Sequence, residues 1–252
     1  MRIKEGSGGR EHVGTAFIAR LAGNYVLVSA EHTVAGSRQT IVGVSEIGAA
    51  RWPTPFRVVR PLSASTPDAD VAYAYGANNI AAAPRFPSGI PIEQDGGNVA
   101  EQPGTSFLAA GYPLSRGGLI DGHARFVGKI MYAACPSIPR SEYAAHGLDP
   151  AVHLATHYRQ EARVGRGGIP ITGAAPRGMS GGVLFLPTRR EATGGLNQID
   201  LAVAGILTEY HAASGLLVAT RVEHLVDAVN SDLRSPARRS PHPKYRGAEC
   251  VS

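Results

Sequence analysis

The sequence predicts an all-β protein that ends in one helix, and three observations predict it. Glycine and proline are frequent, at 31 and 18 of 252 residues, which calls for many turns and favours short strands over long helices. Short apolar stretches recur along the chain with turn residues between them, the pattern of a barrel or a sandwich. After Thr220, Val222, Leu225, Val226 and Val229 recur at helical spacing with Asp and Glu between them, which predicts one amphipathic helix.

The length suits two domains or one large β fold. Hydrophobic residues make up 43% and charged residues 18%, as in soluble globular proteins. The formal charge is +5, and part of it lies in a late run: Arg234, Arg238, Arg239, Lys244 and Arg246. From 236 to 252 this stretch reads as a solubilising disordered tail. No basic stripe is interleaved with aromatics, so nucleic acid is not an expected partner. Cys135 and Cys250 do not make a disulfide framework, and a reducing compartment fits them better. The first residues lack an apolar signal core and no run reaches membrane-spanning length, so the expected location is the cytoplasm, away from membranes.

In chain order, 1–12 is polar and glycine-rich and reads as a loose lead-in. Val13–Arg20 and Tyr25–Ser29 read as strands joined by the turn Leu21-Ala22-Gly23-Asn24. The hairpin delivers Glu31-His32-Thr33 at its exit. Gln39–Val44 and Phe56–Arg60 read as further strands. Asp70 opens an apolar strand through Tyr75, and a carboxylate at the lip of a buried strand needs a partner. Residues 76–104 are rich in Gly, Pro, Ala and Asn and read as a linker. Strand patterns resume near Thr105–Ala110, Ala124–Ala133, His157–Val164, Gly182–Leu186, Leu201–Thr208 and Leu216–Thr220. The expected units are thus 13–100, carrying His32 and Asp70, and 101–235, carrying Ser180 and the helix.

The stretch richest in chemistry is Pro176-Arg177-Gly178-Met179-Ser180-Gly181-Gly182. Glycine there permits φ > 0 and close approach of another molecule. The amides of Gly178 and Ser180, turned to one spot beside a hydroxyl, would make an oxyanion hole. The plain alternative is a glycine turn before a strand. Serine attack needs a base, and the base needs an acid to fix its tautomer. His32 and Asp70, each at the end of an element, are the candidates.

Taken together, these stretches resemble the chymotrypsin-fold (trypsin-like) serine peptidases. Gly14-Thr15-Ala16-Phe17 with Val28-Ser29-Ala30-Glu31-His32-Thr33-Val34 is similar to the family's first hairpin and histidine turn. Asp70-Val71-Ala72 is similar to its acid-bearing strand, and Gly178-Met179-Ser180-Gly181-Gly182 to its nucleophile loop. Gly111-Tyr112-Pro113 after a strand is common in bacterial members. The resemblance implies two six-stranded antiparallel β-barrels with a C-terminal helix. It implies His32 as general base, Asp70 as its orienter, Ser180 as nucleophile, and Gly178 and Ser180 as the oxyanion hole. It places Ala174 near the floor of the side-chain pocket and Thr208, Glu209 and Tyr210 along the substrate, a protein or peptide that adds a strand. Alanine at that floor implies a small or apolar preference. No cofactor and no metal are implied.

The chain departs from secreted members in ways that bear on regulation. Met179 stands where they carry the carboxylate that pairs with a newly cut N-terminus, and no Ile-Val-Gly-Gly start is present. Thr33 replaces a cysteine after the histidine. The pattern is that of bacterial or intracellular members, and a peptidase without a zymogen switch implies narrow specificity or a regulatory protein partner. Other readings stay open. One is a catalytically silent peptidase-like module that binds a peptide or partner. Another is an α/β-hydrolase esterase, since Gly178–Gly182 also fits G-x-S-x-G. Metal hydrolysis through His153 and His157 has no H-E-x-x-H behind it.

Overall fold

In the computed structural model, the described residues are 2–6, 9–34, 39–45, 48–52, 60–75, 90–92, 105–120, 125–128, 130–159, 161–163, 170–172, 174–191 and 197–235. The tail 236–252 and most of the linker 76–104 lie outside them, as do residues 56–59 of the strand expected at Phe56–Arg60. The first part contains β1 (Arg2–Gly6), β2 (Gly9–Gly14), β3 (Ala16–Leu21), β4 (Asn24–Ala30), β5 (Gln39–Ser45), β6 (Gly48–Trp52), β7 (Arg60–Pro61), β8 (Val71–Tyr75) and β9 (Ile90–Pro91). The second contains β10 (Ser106–Gly111), β11 (Gly117–Ile120), β12 (Arg125–Gly128), β13 (Met131–Pro136), β14 (His153–His157), β15 (Glu161–Arg163), β16 (Pro170–Thr172), β17 (Val183–Glu191), β18 (Asn197–His211), β19 (Leu216–Arg221) and α1 (Val222–Arg234).

The hairpin β3–β4 forms where the sequence places it. Leu21 pairs with Asn24 across a two-residue loop in which Ala22 has φ 49° and Gly23 φ 76°. Two positive φ values give the type I′ turn that matches strand twist. Val26 and Val28 on β4 are fully buried. β4 sits at the centre of a five-stranded sheet of order β7-β8-β4-β3-β9, in which β9 pairs with β3 in parallel.

The second part is built on one six-stranded sheet of order β13-β10-β17-β18-β19-β14. It curls until its two edges meet, where Ser137 bridges Thr156 and the Ile138 N–H donates to the Ala155 carbonyl at 3.1 Å. The expected pair of six-stranded barrels is therefore half correct. Among the described residues the first part is a five-stranded sheet that does not close, with a separate four-stranded sheet of order β2-β1-β5-β6. The expected loose lead-in is also revised, because Arg2–Gly6 and Gly9–Gly14 pair with each other and β1 pairs with β5. The expected strand at 157–164 splits: β14 ends at His157, since its register on β19 runs only to Leu216.

Helix α1 buries Val222, Leu225, Val226 and Val229, the four residues whose spacing predicts it. These join Val26, Val28, Val71 and Tyr73 of the first sheet in one core. The helix also reaches across polar contacts, since Arg60 and the Tyr73 hydroxyl both meet the Asp232 carboxylate. One apolar core thus runs from the first sheet to the helix that follows the second. Among the described residues no helix is long and apolar enough to cross a membrane.

Candidate active site

Asp70 and His32 come together at the ends of neighbouring strands. β4 and β8 are antiparallel partners with Ala30 opposite Val71, so the residue just before β8 lies beside the turn just after β4. The His32 backbone N–H donates to Asp70 Oδ1 at 2.9 Å, and the ring Nδ1 bonds Asp70 Oδ2. The Glu31 N–H adds a bond to the Asp70 carbonyl at 3.1 Å. With Nδ1–H directed at a carboxylate, Nε2 is left as the acceptor. His32 is half-exposed and Asp70 is largely covered.

The segment just before Asp70 is tied to the second part of the chain. His153, at the start of β14, accepts the Asp149 N–H on Nδ1 at 3.1 Å. Its Nε2 therefore carries hydrogen and donates to the Asp68 carbonyl at 3.0 Å. This role replaces the metal reading of His153 and His157. Among the described residues no group of three or more His, Cys, Asp or Glu could hold a metal ion.

Ser180 lies on a loop whose carbonyls from Pro176 to Ser180 each accept a hydrogen bond. The Met179 N–H donates to the Pro176 carbonyl at 3.0 Å, and Gly178, third residue of that turn, has φ 86°. A positive φ there defines a type II turn. The Arg177 carbonyl accepts the Leu114 N–H at 2.6 Å, and the Met179 carbonyl accepts the Gly182 N–H at 2.7 Å. A trans peptide points its N–H opposite to its C=O. The amides of Gly178 and Ser180, which share those two peptides, are thus directed away from the protein bonds. Neither donates to a protein acceptor among the described residues.

The loop is pressed against the histidine turn. A Cβ on Gly181, where φ is 87°, would lie 2.0 Å from the Thr15 carbonyl oxygen and 2.5 Å from Ser29 Oγ. Only glycine allows this approach. Ser29 Oγ in turn donates to the Thr15 carbonyl at 2.7 Å and lies 2.8 Å from Thr33 Oγ1. Met179 is 1% exposed and packs in the second core with Phe107, Ala109 and Leu184. An apolar anchor therefore occupies the position before Ser180. Among the described residues no hydrogen bond joins Ser180 Oγ to His32. The loop runs directly into β17 rather than a helix, which removes the nucleophile-elbow reading.

The residues expected along a substrate are contiguous. β17 pairs with β18 only as far as Val183 opposite Ile206. Beyond the bonds between Gly181, Gly182 and Leu207, that edge of residues 208–211 carries no strand among the described residues. Thr208 is buried, with its hydroxyl 3.3 Å from the Val218 carbonyl. Glu209 bonds His211 at 2.7 Å. Tyr210 meets the ring of Tyr158 edge-on at 5.9 Å, and the Tyr158 hydroxyl donates to the Ala174 carbonyl. No motif marks Tyr158 in the sequence: it is an aromatic at a strand end, with no chemical spacing around it. A cavity of about 420 Å³ is lined by residues including Glu31, Asp68, Asp70, His153, Glu209 and His211.

No family model matches the chain, and no curated protein matches it. Among solved structures, the atomic-resolution structure of HBP aligns with a TM-score of 0.51 at 14% identity, covering 92% of this chain and 95% of that one. HBP is a trypsin-like protein of the chymotrypsin fold. The chain therefore shares an all-β fold with HBP, with one curled six-stranded sheet and a C-terminal helix.

Proposed function

We propose that this chain takes an extended polypeptide against the open edge of residues 208–211 and hydrolyses it as a serine endopeptidase. The observation that carries this reading is the pair of hydrogen bonds from His32 to Asp70, through ring and backbone, beside a serine loop with two undonated amides. Ser180 Oγ attacks the peptide carbonyl carbon. His32 Nε2 takes its proton and returns it to the leaving amine. Asp70 holds the ring and stabilises its positive form. The Gly178 and Ser180 amides receive the oxyanion, and loss of one such donor costs roughly 3–4 kcal/mol of barrier in comparable enzymes. Water then releases the acyl half from Ser180. Tyr158 against Ala174 supports a small side chain before the cut bond. The buried Met179 supports a site that needs no newly cut N-terminal amine. Restraint would then fall to narrow specificity or a regulatory protein.

A second reading has its own support: a peptidase-like module that holds a peptide or partner without cutting it. The likeness to HBP carries the fold alone, so it fits this reading without further assumption. The missing bond between Ser180 Oγ and His32 also favours it, although such bonds often tighten only when substrate is present. Labelling with a fluorophosphonate, which reacts only with an activated serine, separates the two. Labelling of the wild type that is lost in Ser180→Ala and His32→Ala supports hydrolysis. A folded wild type that does not label, yet binds peptide, supports the holding module.

A further inference from the structure

The four carbonyls from Arg177 to Ser180 are captured one by one. Leu114 N–H takes Arg177 at 2.6 Å and Gly182 N–H takes Met179 at 2.7 Å. The other two belong to Thr15. Its hydroxyl donates to the Gly178 carbonyl at 3.0 Å, and its backbone N–H donates to the Ser180 carbonyl at 2.7 Å. Of the four donors only the Thr15 hydroxyl is a side chain. It is also an acceptor, taking the Tyr112 N–H at 3.0 Å. Its single hydrogen is therefore free to serve Gly178 alone. Thr15 is 4% exposed, so water does not substitute for these bonds.

Thr15 is equally tied to the base. Its carbonyl accepts Ser29 Oγ at 2.7 Å. The Thr33 hydroxyl lies 2.8 Å from both Ser29 Oγ and the Ala30 carbonyl. Ser29 and Thr33 flank the turn that carries His32. One buried residue thus links the loop of Ser180, the backbone at Tyr112 and the turn of His32. We propose that the Thr15 hydroxyl is a positioning group that holds the Ser180 loop in register with His32 across the two sheets. This rests on the hydrolytic reading above.

The test is Thr15→Val, which removes the hydroxyl and keeps the shape and the backbone N–H, with Thr15→Ser as the conservative return. Misplacement on the scale of an ångström costs about 100-fold in comparable enzymes. The expected result is a fall in kcat of roughly 10- to 100-fold in Thr15→Val with KM changed less than about 2-fold, and recovery in Thr15→Ser. The fluorophosphonate labelling rate should fall in parallel, at a circular dichroism spectrum like that of the wild type. A labelled wild type whose Thr15→Val variant keeps its kcat and labelling rate overturns the inference and leaves the hydrolytic reading standing. Equal losses in Thr15→Val and Thr15→Ser overturn it too, since they would reflect packing. A wild type that does not label overturns both.

Discussion

Asp70 holds His32 by two separate bonds, one carboxylate oxygen on the backbone N–H and the other on the ring Nδ1. The pairing fixes both the place of the turn and the tautomer of the ring. Asn at this position can still accept the backbone N–H with its oxygen. Its amide nitrogen would then donate to Nδ1, which forces the ring hydrogen onto Nε2 and removes the acceptor that the proposed hydrolytic mechanism requires there. Asp70→Asn should therefore fold normally and lose about 10⁴-fold in kcat, the loss seen for the equivalent change in a serine peptidase triad. Steady-state peptide hydrolysis with a melting curve checks this. A loss of activity accompanied by unfolding would instead assign Asp70 a structural role alone.

The helix at the end of the chain is tied to the first sheet by Asp232. Its carboxylate meets Arg60 and the Tyr73 hydroxyl, while Arg60 sits 5.3 Å over the ring of Tyr75. Burial, with Asp232 beside it, pushes the Tyr73 hydroxyl well above the usual tyrosine range. Asp232→Ala would leave the largely buried Arg60 without its carboxylate partner. Removing one member of a buried pair costs about 3–5 kcal/mol, and partial exposure here places the expected loss near the lower end. Denaturant unfolding followed by circular dichroism measures it. A change below about 0.5 kcal/mol, the size of an ordinary surface substitution, would mean that the apolar face of α1 alone docks the helix.

Cys135 supplies a pH dependence. It is fully buried on β13, and burial pushes its thiol up to about 11. The unfolded chain gives up this proton at lower pH than the folded one. The unfolded state therefore binds fewer protons in that interval, and stability falls as pH rises from about 9 toward 11. The expected loss across the window is about 2–3 kcal/mol, absent in Cys135→Ala. Melting temperatures of both proteins at pH 8 and pH 10.5 test it. The same burial predicts slow alkylation of Cys135 at pH 8 in folded protein. Parallel melting curves for the two proteins would contradict the assignment.

The sequence marks some elements and conceals others for reasons of range. Val222, Leu225, Val226 and Val229 announce α1 because a helix writes its period within its own length. Tyr25–Ser29 announces β4 in the same way. Arg2–Gly6 carries no such period; it pairs with neighbouring Gly9–Gly14 and also with Gln39–Ser45, far along the chain. β17 and β18 run beyond the apolar cores that reveal them, to Glu191 and Asn197, because ladder bonds continue where side chains no longer need burial. The expectation of two closed barrels came from resemblance, and closure depends on whether distant edges meet, as Ser137 and Thr156 do in the second part.

What the sequence by itself determined is the β class, the terminal helix, and a serine, a histidine and an aspartate placed at element ends with glycines around the serine. These are properties of residue type and local period. Only the tertiary structure decided that Asp70 bonds His32, that His153 holds the Asp68 backbone rather than a metal, and that Tyr158 closes on Ala174. It alone placed Thr15 between Gly178, Tyr112 and Ser29. Such meetings depend on strand register and on the packing of two sheets, which set the distance between residues that no local window contains.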